Sequence, residues 1–152
     1  MTVTNRNSAL YLKLHVNKYL GDARDRGGRP VPIPFSHTVV SGETGGASAG
    51  VRDTVNLCVL PANCMVLDFF LIYEALSASA GVGLTLQVGD SGDADRYMVA
   101  TDSDVAGSVS RLAFAGQLYK PTADVIVLAE YRVASPVVGK IYKGFFLVIP
   151  GV

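Results

Sequence analysis

The closing stretch TADVIVLAEYRVASPVVGKIYKGFFLVI (122–149) decides the fold class. Val125, Val127, Ala129, Tyr131 and Val133 fall on every second position of its first run, and Ile141, Phe145, Leu147 and Ile149 share one face of its second. A period of two is that of a β-strand, whose successive side chains point to opposite faces. Ser135-Pro136 separates the two runs as a turn. Working back along the chain, Leu84, Leu86 and Val88 alternate with Thr85 and Gln87, and Val51, Asp53, Val55, Leu57 and Val59 occupy the odd positions of an earlier run. Leu112, Phe114 and Leu118 alternate with small or polar residues, and Leu12, Leu14 and Val16 with Lys13 and His15. Turn signals at Pro61-Ala62-Asn63, Gly81-Val82-Gly83, Gly89-Asp90-Ser91-Gly92 and Pro121-Thr122 divide the runs. About eight evenly spaced strands predict an all-β chain, an antiparallel β-sandwich of jelly-roll type. MVLDFFLIYEAL (65–76) is apolar on both faces, which fits a strand buried on both sides or lying in an interface. A buried helix is the alternative there, disfavoured by the Phe, Ile and Tyr content.

The composition points to assembly. Of 152 residues 49% are apolar and only 17% charged, against about 25% charged in an ordinary soluble domain. Either the core is large or part of the surface is covered by a partner. No apolar run approaches the ~20 residues a bilayer requires, and the first residues have no stretch of signal-peptide type, so synthesis in a cytoplasm is expected.

The first residues differ from the rest. Arg6, Lys13, Lys18, Arg24, Arg26 and Arg29 are opposed only by Asp22 and Asp25, a net charge of +4. RPVPIPF (29–35) follows, where three prolines force an extended path, and then the glycine-rich GETGGASAG (42–50). The expected organisation is an extended basic N-terminal arm, 1–34, and a β-sandwich domain, 35–152. Tyr11, Leu12, Leu14, Val16, Tyr19, Arg24, Arg26, Arg29 and Phe35 are the candidate residues for gripping a partner. Two tyrosines are too few for a base-stacking platform, so nucleic acid is not the expected partner.

Cys58 and Cys64 flank the turn at Pro61, placed to face each other across a hairpin. Reduced, buried thiols are expected of a cytoplasmic product. Gly46-Ala47-Ser48-Ala49-Gly50 has the letters of GxSxG, but it lies in the glycine-rich loop with no strand before it and is not read as a nucleophile elbow; there is no phosphate loop and no HxH, and His15 and His37 are the two histidines. Neither a catalytic residue nor a cofactor is expected. Asp90, Asp93 and Asp95 form the one weak metal candidate, a calcium loop by its Asp and Gly content. Their spacing is not that of an EF-hand, and a turn whose Asp side chains cap local backbone donors explains them as well.

The stretch GLTLQVGDSGDADRYMVATD (83–102), with the closing strands 122–149, resembles small virion structural proteins of tailed bacteriophages, especially capsid decoration or cement proteins. The resemblance lies in Gly-Asp-Ser-Gly turns, small residues and few charges, and it transfers no individual functional residue. It implies a β-sandwich or jelly roll, often trimeric, that binds the major capsid protein at subunit junctions in the phage head and reaches neighbours with an N-terminal arm. Its partners would be the major capsid protein and copies of itself, a homo-oligomer with a trimer favoured, with no small-molecule substrate and no membrane. Other virion parts (a head-fibre base, a head–tail connector or a tail protein) are the alternative in the same class. A carbohydrate-binding β-sandwich is the alternative in another, weakened by the absence of Trp.

Overall fold

The computed structural model describes residues 5–7, 29–46, 53–77, 83–104, 106 and 109–150. They form β1 (Asn5–Asn7), β2 (Val31–Thr38), β3 (Thr54–Leu60), β4 (Met65–Tyr73), β5 (Thr85–Asp90), β6 (Asp93–Asp102), β7 (Val109–Arg111), β8 (Val125–Arg132) and β9 (Ile141–Ile149), with one 3-10 turn at Phe114–Gly116. Two sheets result, in the orders β1-β3-β8-β5-β6 and β2-β9-β4-β7. Every pairing is antiparallel except that of β1 with β3. The chain is therefore the all-β, two-sheet sandwich that the alternation predicts.

Only β5 and β6 are consecutive strands paired in one sheet; from β2 to β9 the other connections cross between sheets. Pro61-Ala62-Asn63 is thus a corner and not the hairpin expected from the sequence. Asn63 takes φ 59°, the Ala62 amide donates to the Asp124 carboxylate at 2.8 Å, and the Asn63 amide donates to the Pro121 carbonyl at 2.7 Å. Cys58 and Cys64 are both buried free thiols. Burial pushes the Cys64 thiol up to about 11, and burial together with Cys64 pushes Cys58 up as well.

The core lies between the sheets. From the larger sheet come Val55, Leu57, Leu60, Leu86, Val88, Val127, Ala129 and Tyr131; from the smaller come Ile33, Phe35, Phe69, Leu71, Tyr142, Phe146 and Val148. Its aromatic centre is Phe35, Phe69 and Phe146, with ring centroids 4.8–6.0 Å apart. Tyr97 meets Phe146 edge-on at 5.0 Å. Aromatic pairs at such spacings contribute beyond their buried area.

Bulges revise the predicted faces. In β3 the register shifts between Asn56 and Cys58, so the buried set runs Val55, Leu57 and then Cys58, Leu60, where strict alternation would continue to Val59. In β9 the inward residues are Tyr142, Phe146 and Val148, so Ile141, Phe145, Leu147 and Ile149 share the outward face. The segment 112–118, expected to alternate as a strand, is not one: Phe114–Gly116 form the 3-10 turn, with Phe114 88% exposed and Leu118 at φ 57°. β6 lies within the acidic tract that the sequence assigned only to a turn; two register shifts against β5 obscure its period.

Gly144 shows how close the small sheet packs. A Cβ there would lie 1.9 Å from the Phe70 carbonyl oxygen and 2.8 Å from the Phe35 ring. Gly144→Val should lower stability by about 1–3 kcal/mol, the usual cost of overpacking a core, read as a lower urea midpoint at unchanged slope. A midpoint equal to wild type would show that the strand pair is looser than its geometry. For the thiols, a disulfide-exchange reagent at pH 8 should label neither cysteine in the folded protein and both after denaturation.

Candidate assembly surface

Two buried polar clusters and one outer sheet face stand out in the structure. The most buried cluster lies where β2, β8 and β9 meet the loop after β2. Glu43 accepts from Tyr131 at 2.7 Å and from the Val40 amide at 3.0 Å, and pairs with His37 Nε2 at 2.8 Å. Tyr131 Oη lies 3.2 Å from Tyr142 Oη. Burial pushes the Glu43 carboxyl up, but the hydrogen bonds of His37, Val40 and Tyr131 outweigh it and hold the group below the usual carboxylate range. Burial pushes both tyrosines up, so they stay protonated donors. All four side chains are buried, and their contacts join the two sheets.

Asp90 occupies the β5–β6 turn. Its Oδ1 accepts the amides of Gly92 at 2.9 Å and Asp93 at 3.1 Å, and its Oδ2 accepts Arg96 Nε at 2.7 Å and the Tyr97 hydroxyl at 3.0 Å. Arg96 in turn lies 4.2 Å above the Tyr119 ring. Both oxygens are thus engaged by protein donors, as in the turn-capping explanation of this acidic loop. Asp95 is exposed, and hydrogen bonding with the Asp93 carboxyl holds its own above the usual range. Among the described residues no group of three or more His, Cys, Asp or Glu is placed to hold a metal ion.

Of the predicted gripping residues, Tyr11, Leu12, Leu14, Val16, Tyr19, Arg24 and Arg26 lie outside the described residues. Arg29 is exposed just before β2. Phe35 is 1% exposed and stacks on Phe69 in the core. β2 begins at Val31, inside the range assigned to the arm, and pairs with β9 along its whole length. Pro32 and Pro34 fall on this edge strand, where a missing backbone donor is tolerated and further strand addition is discouraged.

The sequence marks 65–76 as buried on both sides or lying in an interface, and the fold places that segment in the outer face of the four-stranded sheet. Cross-strand registers build its rows: Pro34, Phe145, Phe70 and Arg111; Pro32, Leu147 and Asp68; Ser36, Lys143, Ile72 and Val109. Phe70 and Phe145 stack at 5.6 Å with their planes 18° apart, and the Arg111 guanidinium lies 5.4 Å above Phe70. Arg111 pairs with Asp68 at 2.8 Å. The double apolar character of 65–76 was the signal for this face.

The architecture defines a class: a two-sheet β-sandwich with a strand-bearing N-terminal stretch and one apolar outer face. The same fold occurs in chains of phage capsids. One, in the capsid of Ralstonia phage GP4, matches over 98% of this chain and 99% of its own, with a TM-score of 0.73 at 19% identity. One in the cyanophage Pam1 capsid asymmetric unit matches over 82% and 87%, with a TM-score of 0.61 at 22% identity. One in the acidic stable capsid of Helicobacter pylori bacteriophage KHP30 matches over 81% and 94%, with a TM-score of 0.51 at 16% identity. No family model matches the chain, and no curated protein does.

Glu43 gives this region a signed pH dependence. Its folded pKa is below the unfolded value, so its stabilisation is complete above that value, about 4.3, and is lost as pH falls through the folded pKa. Wild type should exceed Glu43→Gln in melting temperature by a constant margin near neutrality, and the margin should shrink below about pH 4.5. A margin independent of pH down to 3 would remove the carboxylate from this role.

Proposed function

We propose that this chain is a structural component of a phage head, a capsid decoration or cement protein that binds the major capsid protein at subunit junctions and stiffens the shell. The observation that carries the proposal is the near end-to-end match, 98% of this chain on 99% of the other, with a chain in a phage capsid. The strand order, β2-β9-β4-β7 against β3-β8-β5-β6, is read as a jelly roll of two Greek keys. The low charge content and the apolar outer sheet face support a role in contacts between proteins.

In this mechanism the sandwich supplies a rigid body and the N-terminal residues, basic by +4, supply reach. Because β1 pairs with β3 and β2 begins at Val31, the reach belongs to the stretch between them, 8–30, which as a loop held at both ends could extend on the order of 35 Å at about 3.3 Å per residue. Binding to the assembled shell and not to its dissociated subunits stabilises the shell by mass action. Several arms on one oligomer add avidity.

The test is cosedimentation with undecorated phage shells. The full chain should pellet with shells and raise the temperature at which they release DNA. Deleting 1–28, which removes the three-residue edge strand β1 and stops short of β2, should leave a folded sandwich by circular dichroism and weaken shell binding at least tenfold. Full-length protein that stays in the supernatant at micromolar concentrations would refute the function; a deletion that binds as tightly as the full chain would refute the arm's part in it.

A further inference from the structure

We propose that the outer face of the four-stranded sheet is a self-association surface, occupied by a second copy of this chain. The proposal deepens the shell-component reading and rests on it for the purpose of the contact. β4 and β9 are central strands of that sheet, yet Phe70, Ile72, Phe145 and Leu147 point away from the core and remain partly exposed. Their apolar field is continuous with Pro32 and Pro34 on β2 and Val109 on β7. Among the described residues no element packs on this face, and a sheet face left to water is normally polar, because antiparallel strands that meet water on one side alternate apolar and polar residues. Here the alternation fails on the strands that form the middle of the face.

Two features select another copy as the occupant. The first is charge. The face and its rim carry Asp68 and Glu74 against Arg111 and Lys143. Arg111 stands on the β7 side of the Phe70–Phe145 row and pairs with Asp68 in the next row, while Lys143 lies in the row on the other side and Glu74, beyond it, accepts the Ile141 amide at 2.9 Å. Two charges of each sign let the face meet its own copy with opposite charges available, whereas a face built for a strongly acidic or basic partner would carry one sign. The second is area. Three strands of eight or nine residues plus the short β7 present roughly 450 Å² of flat surface at about 4.8 Å between strands and 3.3 Å per residue. Two copies then cover about 900 Å² before side-chain relief is added, close to the ~1,000 Å² at which specific interfaces begin. The stacked Phe70–Phe145 pair sits at the middle, where aromatic anchors concentrate binding energy.

The experiment is molar mass by light scattering on the isolated full chain across 1–100 µM, beside the shell cosedimentation described above. The wild type should exceed the 16.0 kDa of one chain. Phe145→Lys should raise the dissociation constant at least tenfold, leaving a monomer with strand-type circular dichroism. Because Phe145 is partly buried, Val109→Glu, at an exposed rim position, decides the matter if the first variant unfolds: it should also weaken association, by several-fold. A wild type that is monomeric at 100 µM, or both variants associating as tightly as wild type, would overturn the proposal. A monomeric wild type whose shell binding is lost on Phe145→Lys would assign the face to the shell protein and likewise overturn it. An oligomer that fails to bind shells would sink the functional reading while leaving the self-association standing.

Discussion

One buried carboxylate ties this sandwich together. Glu43 stands in the loop after β2 and takes hydrogen bonds from Tyr131 of the larger sheet and from the Val40 amide, while pairing with His37 of the smaller sheet. A charge in such a place is tolerated only when its oxygens are satisfied, and removing any one partner leaves the others buried without compensation. The loop, both sheets and the β8–β9 end of the molecule therefore adopt one geometry together. Tyr142 extends the tie by its hydroxyl contact with Tyr131 and its ring contact, at 5.3 Å, with His37.

The rest of the fold follows from the crossing connections. Since the chain passes between sheets at nearly every turn, each corner must be held by contacts remote in sequence, as Asp124 holds Ala62 at Pro61–Asn63. The same crossing brings Phe35, Phe69 and Phe146 from three distant segments to one centre. The β5–β6 hairpin is the local exception, and there Asp90 organises the turn within itself by capping two amides and receiving Arg96 and Tyr97.

The two faces of the smaller sheet divide the labour. Its inner face makes the aromatic core, and its outer face presents a second, thinner apolar layer centred on Phe70 and Phe145. The larger sheet differs: on β5 and β8, Gln87 and Glu130 are joined at 3.3 Å and Arg132 reaches Gln87 at 3.0 Å, a polar row. That row is itself buried, with Gln87 2% and Glu130 9% exposed, so its hydrogen bonds serve the interior and not a water-facing surface.

What the sequence by itself determined was the period. Alternation at 84–88 and 125–131 is a local property, written in adjacent residues, and it specified strands and a β-sandwich. It also marked 65–76 as apolar on both faces. What it left open was parity. Along 141–149 both the odd and the even residues are apolar, and only the fold turned Tyr142, Phe146 and Val148 inward and left Phe145 and Leu147 outside. Gly144 belongs to that inward set because the Phe35 ring and the Phe70 backbone occupy the space a side chain would need. The bulges in β3 and β4, the corner at Pro61 and the Glu43 network were invisible for the same reason. Each depends on a partner residue from a distant segment, and one-residue shifts that reverse a strand's faces leave no mark on composition.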